Sequence, residues 1–155
     1  MTESRYKKIL VPLDGSGFAQ RAIAHAVDVA RVSGAEIILL TIFTPPAYEY
    51  SGQLALAGQE SQLEAAREEM KRYLIGCRTE LRDENLKVRT HVIEGQAVAH
   101  LICDYVRAEG IDLIVMSSHG HSGIVKLLFG SVTRSVMECV DIPVLLIQPD
   151  KETTQ

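Results

Sequence analysis

A doubly wound α/β domain, with an open parallel sheet between two layers of helices, is the architecture that the patterning of this chain predicts. Three observations carry it. Short apolar runs rich in branched side chains recur along the chain, among them Ile37-Ile-Leu-Leu-Thr-Ile42 and Leu113-Ile-Val-Met116. Runs of that length without polar alternation belong to strands buried on both faces. Between them lie stretches with apolar residues at helical spacing, such as Ala19, Ala22, Ile23, Ala26, Val27 and Ala30. The two patterns alternate regularly, strand then helix, from the first run to the last. That order implies parallel strands, right-handed crossovers and helices on both faces of the sheet.

Each element has its own signature. Ile9-Leu-Val-Pro-Leu13 is a buried strand, with Pro12 near its end, where a missing N–H is tolerated. It runs into Asp14-Gly15-Ser16, a sharp turn in which Ser16 is a helix N-cap. The small-residue stripe from Ala19 to Ala30 then forms one helix, ended by Gly34. After the strand Ile37–Ile42 comes a long connection, Phe43 to about Gln59, with Pro45-Pro46, Tyr48, Tyr50, Gly52 and Gly58. Connections of that length are functional or disordered, and a lid over a pocket is one reading, a disordered insertion the other. From Glu60 to about Glu84, Leu63, Ala66, Met70, Leu74, Cys77 and Leu81 share one helical face, opposite a charged, solvated one. Lys87-Val-Arg-Thr-His-Val-Ile93 alternates as a strand with one less buried face. Glu94-Gly95 turns into a helix over Val98, Leu101, Ile102, Tyr105 and Val106, stopped by Gly110. The strand Leu113–Met116, a polar loop and a helix on Val132, Val136 and Val140 follow. Ile142-Pro-Val-Leu-Leu-Ile147 is the fifth strand, with a polar, frayed tail after it (149–155).

Length and composition narrow the function. A chain of 155 residues fits a single domain, with its core at about 7–148. A hydrophobic fraction of 46% and a charged fraction of 23% are those of an ordinary globule. The net charge of −4 argues against nucleic acid as a partner, which calls for clustered Lys and Arg. No stretch reaches the apolar length of a membrane span, and the polar start, Met1 to Lys8, is no signal peptide. A cytoplasmic protein is expected. Cys77, Cys103 and Cys139 are odd in number, widely spaced and set in helical patterns, so they read as reduced, mostly buried thiols.

The chemistry concentrates between Ile111 and Val140. The strand there breaks into Ser117, Ser118, His119, Gly120, His121, Ser122 and Gly123, and Gly130-Ser131 precedes the next helix. Strand, glycine-bearing loop and helix start together form an anion site, because glycines allow close backbone approach and helix-start amides point at negative charge. An isolated Gly-Ser is more often an ordinary capped connection. Here, however, the spacing is longer and more specific: Ser117-x-x-Gly120, nine residues, then Gly130-Ser131. It resembles the Gly-x-x-Gly-x9-Gly-(Ser/Thr) frame of nucleotide-binding universal stress proteins, and the resemblance runs from about Lys7 to Gln148.

The resemblance implies a Rossmann-like sheet of order 3-2-1-4-5, akin to the adenine nucleotide alpha hydrolases, which sets Asp14 beside Ser117–Gly130. It further implies that Pro12, Leu13, Asp14 and the main chain of Ile42 hold a base and ribose. Gly120, Gly130, Ser131, Val132 and Thr133 would meet phosphates, with Met116 and Ser117 lining the wall. The ligand implied is ATP, or AMP or ADP, with magnesium or manganese held through the phosphates. Two positions depart from the pattern. Ser117 replaces the first glycine, which matters if φ there must be positive and not if only closeness is needed. His121 stands where Arg or Lys commonly follows the second glycine. His119 and His121 make a poor metal site, so no protein metal ligands are assigned.

Absences complete the reading. The chain has no G-x-x-x-x-G-K-[ST] loop and no G-x-S-x-G elbow, and Gly15-Ser16-Gly17 falls short of the latter. No nucleophile with a paired acid and base can be assigned. A regulatory adenine-nucleotide binder is expected, with at most slow hydrolysis or autophosphorylation through Ser131 or Thr133. The alternative is a nucleotide-free dimeric adaptor of the same fold. Either is expected to be a homodimer through the apolar edge strand Val144–Ile147, which family members pair across a two-fold axis.

Overall fold

Why the central strand runs carry no polar alternation is evident from the sheet they build. Five strands, β1 (Lys8–Pro12), β2 (Glu36–Phe43), β3 (Val88–Glu94), β4 (Leu113–Ser117) and β5 (Val144–Ile147), form one sheet of order β3-β2-β1-β4-β5. All pairings are parallel, with Ile9 in register with Ile37 on one side and Leu113 on the other. The structure is a computed structural model that describes residues 2–45, 57–82, 85–119 and 129–148. Of the expected lid, Phe43 to about Gln59, residues 46–56 lie outside the described residues, as do the tail after 148, Gly120 and His121, while Phe43 ends β2 and residues 57–59 already belong to the next helix.

Among the described residues five helices cover both faces: α1 (Gly17–Gln20), α2 (Ala22–Ser33), α3 (Ala57–Glu80), α4 (Val98–Glu109) and α5 (Ser131–Cys139). Successive strand residues point to opposite sides, so each run feeds two cores. Ile9, Val11, Ile37, Leu39 and Val115 pack with the alanine stripe of α2 and with Leu74 and Cys77 of α3. Leu10, Ile38, Leu40, Ile114 and Met116 face the other way, onto Ile102, Tyr105 and Val106 of α4 and Val136 of α5. The small side chains Ala22, Ala26 and Ala30 are at most 1% exposed, which lets α2 lie close on the sheet. Gly110 ends α4 at φ 66°, a left-handed cap that glycine adopts without steric penalty.

The structure departs from the expected elements in three places. The helix expected after Ser16 is split at Arg21, whose N–H turns back to Ala19 O and so interrupts the ladder between α1 and α2. The fifth strand starts only at Val144, while Pro143, lacking a donor, contributes its carbonyl to Ile114 N at 3.1 Å. The third concerns sulfur. Cys103 and Cys139, expected as separate reduced thiols, are paired as a disulfide with Cα atoms 6.3 Å apart. Helical periodicity places each on its own helix, and only the docking of α4 beside α5 brings them together. Cys77 remains a buried free thiol. Among the described residues no helix is long and apolar enough to cross a membrane.

Candidate functional site

The carboxyl ends of β1 and β4 lie side by side, because the chain runs outward from β1 to β2 and β3 and returns to the other side for β4 and β5. Connections leave such a switch point in opposite directions and open a crevice between them. A cavity of about 310 Å³ occupies it.

One lip is the turn after β1. Leu13 N donates to Leu40 O at 2.8 Å, extending the pairing with β2 to the cavity's edge. The chain then reverses through Gly15, at φ 85°, a conformation that side chains disfavour. Asp14 Oδ1 accepts from Ser16 N at 2.9 Å, and Ser16 Oγ accepts from Ala19 N at 3.1 Å. The carboxylate that faces the cavity is thus held by the turn it initiates.

The opposite lip is the end of β4 and the start of α5. Ser118 is fully buried and fastens three segments: its N–H donates to Ile147 O at 3.0 Å, its carbonyl accepts from Gly130 N at 2.8 Å, and its Oγ meets His119 Nδ1 at 2.9 Å. Ser117 answers the question its sequence position raises. Its Oγ donates to His119 O at 2.8 Å, and among described non-glycine residues only Asn85 has a positive φ. The serine therefore sits without left-handed strain and uses its hydroxyl to turn the chain. Gly130 is the N-cap of α5 at φ −66° and ψ 161°, with no side-chain bond to the first-turn amides. Ser131 is exposed at the first helical position, whereas Thr133 is 3% exposed and donates its hydroxyl to Ser117 O at 3.1 Å.

Between the lips the wall is apolar: Leu40 and Ile42 of β2, Met116 of β4, Val98 and Ile102 of α4, and Val132 of α5. A slot of branched side chains beside a helix start suits a flat heterocycle joined to an anion. No Lys or Arg stands among the described lining residues, and Asp14 and His119 are their only titratable side chains. Negative charge placed there would be met by backbone amides and the α5 dipole rather than by a cationic side chain. Among the described residues no group of three or more His, Cys, Asp or Glu could hold a metal ion.

The residues singled out in the sequence thus come together. Pro12, Leu13, Asp14, Ile42, Met116, Ser117, Gly130, Ser131, Val132 and Thr133 all line the one cavity. Ala19, Leu40, Val98, Ile102 and His119 line it too and were not foreseen as site residues. Val98 and Ile102 carry a signal, the apolar stripe of α4, but nothing in a stripe marks which members meet the sheet and which a ligand.

Over residues 5–148 the sequence matches the universal stress protein family. The chain belongs to that family. Universal stress protein MJ0531 of Methanocaldococcus jannaschii is 30% identical over 150 residues, covering 97% of this chain and 86% of the relative. The solved structure of MJ0577, from the same organism, is 28% identical with a TM-score of 0.82, covering 96% of this chain and 99% of that one. A universal stress protein from Archaeoglobus fulgidus, solved in complex with dAMP, shares the fold at 24% identity and a TM-score of 0.62, with 92% and 98% of the two chains covered.

Proposed function

We propose that this universal stress protein binds ATP, or another adenine nucleotide, as a regulatory ligand in the cavity between β1 and β4. The observation that carries the reading is the meeting of an apolar slot, the Asp14 carboxylate and the uncapped start of α5 in one cavity. The base would lie against Ile42, Met116 and Val98, and Asp14 would accept from the ribose hydroxyls. The phosphates would reach the amides of Ser131, Val132 and Thr133, since Gly130 N is already held by Ser118 O, and the family resemblance adds Gly120 and His121 to them. The dAMP complex of the Archaeoglobus fulgidus relative supports this ligand class. Magnesium or manganese would arrive with the phosphates, since the described lining offers no metal cluster of its own. The cellular setting that fits is the cytoplasm.

Turnover would be slow at most. Thr133 has given its hydroxyl to Ser117 O, so exposed Ser131 is the better placed phosphoryl acceptor of the two. Isothermal titration of ATP and AMP, with and without magnesium, tests the proposal; heat that saturates with ATP supports it. Silence from the wild type would favour the second reading, a nucleotide-free adaptor, which the departures at Ser117 and His121 and the absence of cations among the described lining residues favour.

Both readings take the protein as a homodimer through β5. That strand is the last in the sheet order, and Leu145 on it is 39% exposed. Leu145→Lys is the cleaner probe, because Leu146 packs against the α4–α5 core. Sedimentation is expected to show a dimer for the wild type and a monomer for the variant; equal sizes would count against this edge.

A further inference from the structure

The disulfide joins the two helices that also wall the cavity. On α4, Ile102 lines the cavity and its neighbour Cys103 carries the bond; on α5, Val132 and Thr133 line it and Cys139 closes the last turn. The two sulfurs differ in access. Cys103 is 1% exposed, whereas Cys139 is half-buried and lines a separate surface groove with Val98, His100 and Ser135. A small oxidant can therefore meet Cys139 first, leaving Cys103 as the thiol that resolves it. Arg107 supports that order. Its Nη2 donates to Cys139 O at 3.0 Å, setting a cation over a helix end whose carbonyls otherwise disfavour a thiolate.

We propose that Cys103 and Cys139 form a reversible, peroxide-responsive redox site that couples α4 to α5 and tightens nucleotide binding when oxidised. In the first step the Cys139 thiolate attacks a hydroperoxide, the S–O bond forms, the O–O bond breaks, and the departing oxygen takes the thiol's proton and leaves as water or alcohol. In the second, Cys103 sulfur attacks the sulfenic sulfur of Cys139. The S–S bond forms, the S–O bond breaks, and the hydroxide leaves as water with the Cys103 proton. Two thiols are oxidised by two electrons and the peroxide is reduced by two; a small dithiol returns both sulfurs to thiols. In a reducing compartment a disulfide of this kind is transient and signalling rather than structural. The cross-link leaves the cavity formed, so it fixes two of its walls in advance of ligand and lowers the ordering cost of binding. The coupling rests on the adenine-nucleotide reading above.

The test uses the full chain, reduced with dithiothreitol or treated with hydrogen peroxide, in two measurements. Alkylation after quenching into denaturant, followed by mass spectrometry, is expected to modify all 3 cysteines of the reduced protein and only Cys77 of the oxidised one. Titration with ATP is expected to show affinity about fivefold higher in the oxidised form. Cys139→Ser, at a half-buried helix end, is expected to keep the reduced-form affinity with or without peroxide; Cys103→Ala provides a second check. Failure of peroxide to link Cys103 to Cys139 would overturn the site. A cross-link with unchanged ATP affinity would overturn the coupling. If neither form binds ATP, the nucleotide reading and the coupling fail together, and the alkylation result still decides the redox site.

Discussion

Two helices begin at the strand-end crevice, and they begin in opposite ways. At α1 the chain closes on itself: Ser16 Oγ takes Ala19 N, and Asp14 Oδ1 takes Ser16 N. At α5 the N-cap is Gly130, with no side chain over the first-turn amides. A helix leaves its first N–H groups without intrahelical partners, and something must satisfy them. The first helix spends serine and aspartate on that need and thereby forms a turn. The second leaves the need for water or an anion, with Ser131 and Val132 already at the cavity. On the proposed reading, the ribose end of a nucleotide would meet the Asp14 lip and the phosphate end the Gly130 lip.

The most direct way to break this comparison is Gly130→Val. At φ −66° any residue is allowed, and an added Cβ would meet Ser118 O at 3.4 Å, an ordinary contact. The fold is expected to survive, with an unchanged circular dichroism melt, while ATP affinity falls about 100-fold because the branched side chain keeps an anion from the amides of the first turn of α5. Binding that persists would move the phosphates away from α5.

At the other lip two effects can be separated. Asp14→Asn keeps an oxygen for Ser16 N but weakens acceptance from ribose hydroxyls, so ATP affinity is expected to drop about tenfold with little change in stability. Ser16→Ala should do the reverse, costing about 1 kcal/mol of stability in a denaturant titration with ATP affinity unchanged. If Ser16→Ala weakened binding as much as Asp14→Asn, the two ends of the crevice would not be distinct.

The smallest effect lies away from the crevice. Burial pushes the Cys77 thiol and the Tyr73 phenol above their ordinary values. Both groups are acids held neutral in the fold, so their contribution is fully present below the ordinary thiol range and is lost as pH rises through the raised values. The melting temperature is expected to be level near neutrality and to fall in alkaline buffer. Cys77→Ala should make that fall shallower, and an unaltered slope would assign the effect to other groups.

How much of this was legible in the sequence differs between the two lips. Ser16 as a cap, Gly15 as a turn and Gly110 as a helix stop were readable, because each is a requirement met within four residues. The frame Ser117-x-x-Gly120-x9-Gly130-Ser131 was readable as spacing, but not the conformation at Ser117, where only the structure shows a negative φ and a hydroxyl turned to His119 O. The break at Arg21 was not readable either. The stripe Ala19–Ala30 continues through it, and a change of hydrogen-bond partner leaves no mark on periodicity.

Local pattern, then, decided which segments are strands, which are helices and where most of them stop, since propensity, capping and alternation act between near neighbours. Tertiary structure decided what those segments do for one another. It chose Val98 and Ile102 from a uniform stripe as cavity wall, and gave the Thr133 hydroxyl to the sheet and left Ser131 exposed. It also brought Cys103 to Cys139 across 36 residues. Those choices depend on where whole helices come to rest on the sheet, a property of packed surfaces that no short stretch of sequence contains.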